Sequence, residues 1–164
     1  ARWYQRVNKS LVMTLTYFNL SYNQSVLADG LGDQAQIEDP GKTNMVFVNA
    51  GVAELLLKIK PKHYIRTEFQ AQFSQQDRGN MAMILAEYSI SPHWFFTLQN
   101  IYNYGHPDEA MRINYPLGSI VYVVGTTRFQ ISYGRQQKGI FCVGGVCRVV
   151  PPSNGVGISI TTTF

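Results

Sequence analysis

Apolar and polar residues alternate along most of this chain with a period of two. That spacing puts successive side chains on opposite faces of a β-strand. In the run ending at Phe164, Val156, Ile158, Ile160, Thr162 and Phe164 fall on one face; Gly157, Ser159, Thr161 and Thr163 fall on the other. The cleanest run is His63 to Ser74, with Tyr64, Arg66, Glu68, Gln70 and Gln72 opposite Ile65, Thr67, Phe69, Ala71 and Phe73. The same period predicts strands near Leu11–Asn23, Asn44–Ile59, Asn80–Ile90, Trp94–Tyr104, Met111–Gly125 and Arg128–Arg135, with a stub at Arg2–Val7. Glu54 and Lys58 share a face with Val48 and Val52, and Glu87 opposes Ala82, Ile84, Ala86, Tyr88 and Ile90. Pro116 and Gly118 interrupt their strand, as at an edge, a bulge or an extension above a membrane.

The connections alternate in length. Tight turns at Asn8–Ser10, Lys60–Lys62, Ser91–His93 and Thr126–Thr127 interleave with longer links at Gln24–Thr43, Gln75–Gly79, Gly105–Ala110 and Gln136–Asn154. Tight turns on one side and longer loops on the other mark an antiparallel up-and-down transmembrane β-barrel of the outer-membrane type. Its lipid side is apolar and its lumen polar, so Phe69, Phe73, Phe129, Ile131, Ile158 and Ile160 are expected to face lipid. Arg66, Glu68, Gln70, Glu87 and Gln130 are the expected lumen-lining residues. Aromatic residues open and close the strand from Trp94 to Tyr104, with Trp94, Phe95 and Phe96 first and Tyr102 and Tyr104 last, as two interfacial belts require. The expectation is one all-β domain over residues 1–164, with eight full strands plus the stub. A stub that reads as strand already in progress predicts the C-terminal part of a larger barrel.

Composition agrees with spread-out rather than concentrated hydrophobicity. Hydrophobic residues are 45% of the chain and charged residues 15%, yet mean hydropathy is only −0.10. No run approaches the roughly 20 apolar residues of a membrane helix. The net charge of +4 is mild and its basic residues are scattered, which argues against a nucleic-acid partner. The acids of the long polar stretch, Asp29, Asp33, Glu38 and Asp39, lack the spacing of a calcium loop. Cys142 and Cys147 flank a Gly144-Gly145 pair with no nearby His, which suits a disulfide in an oxidising compartment rather than a zinc site.

Several segments resemble one family. They are Ser89-Ile90-Ser91-Pro92-His93-Trp94, Tyr102-Asn103-Tyr104-Gly105, Ile131-Ser132-Tyr133-Gly134-Arg135, the stretch from Gly139 through Cys142-Val143-Gly144-Gly145-Val146-Cys147 to Pro151, and the ending Thr161-Thr162-Thr163-Phe164. Over about Thr43 to Phe164 the chain looks like the C-terminal region of an outer-membrane protein family of Bacteroidota that has no assigned activity. The resemblance implies a bacterial outer-membrane location and a barrel longer than this chain. It implies no catalytic residues.

No chemistry of an enzyme stands out. His63 and His93 fall at tight turns and His106 at a loop opposite them, away from any nucleophile pattern. No cofactor or metal site is expected. The expected function is non-enzymatic: a structural or accessory subunit of an outer-membrane protein complex, in contact with membrane lipid and other outer-membrane proteins. The alternative is a passive pore or small-solute transporter. The cysteine loop, with Val143, Gly144, Gly145, Arg148, Pro151 and Pro152, is the expected partner-contacting surface.

Overall fold

The computed structural model describes residues 1–23, 45–74, 79–106, 108–136, 139–143 and 146–163, with backbone alone at 22–23, 111, 139–143 and 146–150. The polar stretch with Asp29, Asp33, Glu38 and Asp39 lies outside them, as do Gly144, Gly145 and Phe164. Among the described residues eleven strands are present: β1 (Arg2–Arg6), β2 (Leu11–Asn23), β3 (Met45–Lys60), β4 (His63–Phe73), β5 (Met81–Ile90), β6 (Trp94–Asn103), β7 (Asn114–Val124), β8 (Thr127–Gln136), β9 (Gly139–Val143), β10 (Val146–Val150) and β11 (Ser153–Thr162). Nine pair in the order β1-β2-β3-β4-β5-β6-β7-β8-β11, every neighbour antiparallel. A 3-10 turn, Glu109–Met111, is capped by the Asp108 carboxylate accepting from the Ala110 N–H. No described helix is long and apolar enough to cross a membrane.

Turn chemistry sets one end of this sheet. Asn8 Oδ1 accepts from the backbone N–H groups of Ser10 and Leu11, both at 2.8 Å, and turns β1 into β2. Between β7 and β8, Gly125 takes a positive φ of 56°, which a two-residue hairpin turn demands. At the opposite end Gly134 permits a close approach. A Cβ there would meet the Pro116 carbonyl oxygen at 2.2 Å.

Three expectations need correction. The sheet is not closed into a barrel, and β1 and β11 are its two edges. The stretch expected as one long cysteine loop contains the hairpin β9–β10, a two-stranded sheet of its own. Pro116 and Gly118 do not interrupt β7, which runs unbroken from Asn114 to Val124. Pro116 pairs with Asn100 of β6, while the ladder with β8 begins at Leu117. Proline is thus accommodated where one side of the strand has lost its partner.

The sheet is one layer with two unlike faces. Among the described side chains of the nine strands, every buried one lies on a single face: Thr14, Val46, Val48, Ala50, Leu85, Glu87, Thr97, Asn103, Leu117, Ser119, Val121 and Gln130. Such one-sided shielding is that of the concave side of a curled sheet, where side chains converge. Val121 and Leu117 pack there with Phe95 and Val123, so Phe95 belongs to this face and not to an outward aromatic belt. Toward the β1 edge the shielding lapses, and Tyr4, Phe18 and Leu20 stand exposed on the same face. The other face is open and apolar. Phe69, Phe73, Phe129, Ile131, Ile158 and Ile160 are all exposed on it, together with Leu98, Ile120 and Tyr133.

Candidate functional site

The register of β3, β4 and β5 builds a charged cluster on the shielded face. Glu54 of β3 stands directly opposite Glu68 of β4, a pairing of like charges that is unfavourable on its own. Arg66, two residues before Glu68 on the same face, resolves it. Its Nη1 lies 2.8 Å from Glu68 Oε2 and 3.3 Å from Glu54 Oε2. Across the other ladder Arg66 is directly opposite Glu87, with Nε 3.6 Å from Glu87 Oε1. One guanidinium thus sits among three carboxylates, each reached by a different lattice direction: along the strand, diagonally and straight across.

The cluster is tied into the sheet by neutral donors. Gln70 Nε2 donates to Glu68 Oε1, and Thr97 Oγ1 of β6 donates to Glu87 Oε2 at 3.5 Å. Thr97 is in turn opposite Ser119, which is opposite Ser132. A polar row therefore runs from Arg66 across β5, β6 and β7 to β8. Ser119 Oγ and, in the neighbouring row, Gln130 Nε2 are buried without a protein hydrogen-bond partner. Groups of that kind call for water in a wet interior.

Of the expected lumen residues, Arg66, Glu68, Gln70 and Glu87 meet in this one cluster. Gln130 shares their face but stands strands away, opposite Val121 and Ser159. Glu54 completes the cluster and was not among the expected site residues. Its place on the face of Val48 and Val52 was legible, but the β3–β4 register that carries it to Arg66 was not.

The arrangement can hold fixed negative charge in a partly shielded place. Three carboxylates against one guanidinium attract cations when all are ionised. The histidines are engaged elsewhere: His63 Nδ1 with Tyr88 Oη at 2.6 Å, His93 Nδ1 with the Val123 carbonyl at 2.8 Å, and His106 Nδ1 with the backbone of Asp108 at 3.1 Å. Among the described residues no group of His, Cys, Asp and Glu is arranged to hold a metal ion.

A second place of interest is the hairpin. Cys142 of β9 pairs in register with Cys147 of β10. Their side chains, with those of Val143 and Arg148, lie outside the described residues, as do Gly144 and Gly145 entirely. Pro151 and Pro152 are exposed where the hairpin returns to the sheet. Gln136 Nε2, at the end of β8, donates to the Pro151 carbonyl at 3.0 Å and pins the base of the hairpin.

Comparison with protein families gives one match. A model described as a family of unknown function, DUF6029, covers residues 3–164. The chain belongs to this family. The DUF6029 match includes β1 and β2, upstream of the segment in which the sequence resemblance was noted. No curated protein and no solved structure matches the chain.

Proposed function

We propose that this DUF6029 chain forms part of a β-barrel in the bacterial outer membrane. We propose further that it acts without catalysis as a structural or accessory subunit of an outer-membrane protein complex. The observation that carries the reading is the inversion of the two faces. Large apolar side chains are exposed, while an Arg, three Glu and a row of hydroxyls are shielded. In water, so much exposed apolar surface beside shielded charge is unfavourable. Against lipid on one side and a wet lumen on the other, it is the favourable one.

Aromatic rings support the same reading. On the open face Trp94, Phe96 and Tyr122 cluster near the tight turns, and Tyr102 lies toward the longer links. Trp94 and Tyr102 are eight residues apart in β6, about 27 Å at about 3.4 Å per residue. With a strand tilt of about 40° the separation is about 20 Å along the membrane normal, close to the roughly 25 Å apolar band of such barrels. The tight turns are then periplasmic and the longer links extracellular.

Closure follows from parity. In an antiparallel order of nine strands, β1 and β11 point the same way. Joining them directly would create one parallel pair. An all-antiparallel wall takes an odd number of further strands between them, which would leave no edge unpaired in lipid.

The hairpin β9–β10 supports the accessory role, because it stands outside the nine-strand ladder and adds nothing to the wall. A Cys142–Cys147 disulfide belongs to this reading. Residues opposite one another in an antiparallel pair have Cα atoms about 4.5 or 5.5 Å apart. Both values lie inside the roughly 4.4–6.8 Å that a disulfide spans. The bridge would fix the surface offered to a partner.

The polar row and the acidic excess around Arg66 favour a second reading, a passive cation-preferring pore or small-solute transporter. Native purification in mild detergent, followed by conductance in planar bilayers, separates the two. Silence with stoichiometric co-purifying proteins is the expected result. Stable ohmic openings would replace it with the pore reading.

A further inference from the structure

We propose that the end of the sheet bearing the tight turns binds the phosphate groups of anionic phospholipids, a proposal that rests on the membrane reading above. Charge at this end is one-sided. Arg6, Lys9, Lys58, Lys60, Lys62 and Arg128 lie in the tight turns or within two residues of them. They are six of the chain's 14 Lys and Arg, and none of its 10 Asp and Glu is placed there. The described acids outside the Arg66 cluster, Asp108 and Glu109, lie in the link between β6 and β7 at the opposite end. Lys9, Lys60 and Lys62 are exposed in the turns, so their ammonium groups can reach outward along the membrane surface.

A second observation places lipid next to that charge. On the open face, rings run in a continuous series across β4 to β7. His63 and Tyr88 have centroids 5.9 Å apart, Tyr88 and Phe96 6.3 Å, Phe96 and Trp94 6.0 Å, Trp94 and Tyr122 4.5 Å, and Tyr122 and His93 6.3 Å. Amphipathic rings in a band lie at the headgroup level. The series begins at His63, the residue after Lys62, so the basic rim lies at the headgroup edge of the band.

Lys62 adds a backbone argument. It sits at φ 67°, the left-handed region in which glycine carries no steric penalty and lysine does. A positive charge is held at the tip of the β3–β4 turn at a conformational cost. Backbone strain of this sort marks functional positions. The complementary ligand is a phosphodiester headgroup of net negative charge, as in phosphatidylglycerol, rather than a zwitterionic one.

Trp94 lies in the ring series and reports directly on the lipid beside it. The full chain carrying Trp3→Phe, which leaves Trp94 as the sole Trp, is refolded into vesicles of brominated phosphatidylcholine or brominated phosphatidylglycerol. Quenching of Trp94 in mixtures gives the relative affinity. A preference of about fivefold for the anionic lipid is expected at low salt, falling toward one at about 1 M salt. The triple change Lys9→Gln, Lys60→Gln and Lys62→Gln is expected to bring the preference near one. Lys62→Gly relieves the backbone and removes one charge, so it should lower the preference while folding at least as well. Equal quenching by both lipids, or a preference untouched by these substitutions, overturns the proposal. Trp94 quenched by neither lipid would instead sink the membrane reading beneath it.

Discussion

Phe129 and Gln130 are neighbours in β8, yet their surroundings are opposite. The aromatic ring is 41% exposed and the amide 4%. The same contrast recurs in β4, where Phe69 is exposed and the adjacent Glu68 and Gln70 are held in the Arg66 cluster. In a sheet laid on an aqueous core the apolar neighbour would be the hidden one. Here the backbone alternation is ordinary, and the exposed neighbour is the apolar one. The difference teaches that the same period-two pattern specifies a strand in either medium, so what each face carries, and not the period, bears on which medium surrounds it.

The sharpest way to break this comparison is to put a charge on the open face. Phe129→Arg is expected to cost about 2–4 kcal/mol near the middle of the membrane. Refolding yield into vesicles, read by urea titration, checks it; an unchanged midpoint would mean that the open face does not meet lipid. Next is Arg66→Met, which leaves three carboxylates without their common partner. Full burial would make the loss about 3–5 kcal/mol. Arg66 keeps 21% of its side-chain surface, so about 2 kcal/mol is expected from the same titration.

A smaller effect sharpens the assignment within the cluster. Adding Glu54→Gln to Arg66→Met should return about 1 kcal/mol, because the opposed Glu54 and Glu68 no longer repel. A double-mutant cycle that gives zero coupling would mean the two carboxylates do not share Arg66. The smallest change is Gln130→Leu. It removes a buried amide nitrogen that lacks a protein partner, and the urea midpoint should correspond to a shift of no more than about 0.5 kcal/mol. A loss as large as that of Phe129→Arg would reverse the two faces.

Much of the fold was legible because alternation and turn chemistry are local. The bounds of β2 match the expected ones, and those of β3, β4, β5, β6 and β8 lie within a residue of them. What was missed depends on partners distant in sequence. Glu54 joins Arg66 only through the β3–β4 register, which includes a shift between Lys58 and Lys60. Phe95 looks like one of three successive belt aromatics, but alternation sends it to the shielded face beside Val121. The β9–β10 hairpin escaped for a different reason. Ile140, Phe141, Val143, Val146, Val149 and Val150 are apolar on both parities, so period two gives no signal, and the glycine pair between the strands reads as loop punctuation.

The direction of the two free edges also restricts self-association. On the membrane reading proposed above, copies inserted with the same orientation would all present β1 and β11 pointing one way across the bilayer. Any strand of one copy that zips onto an edge of another must therefore run alongside it head to head. The opposed-strand bonding used throughout the wall would require an upside-down neighbour. Within that reading, a ring grown from like sheets alone would need a parallel seam at every joint.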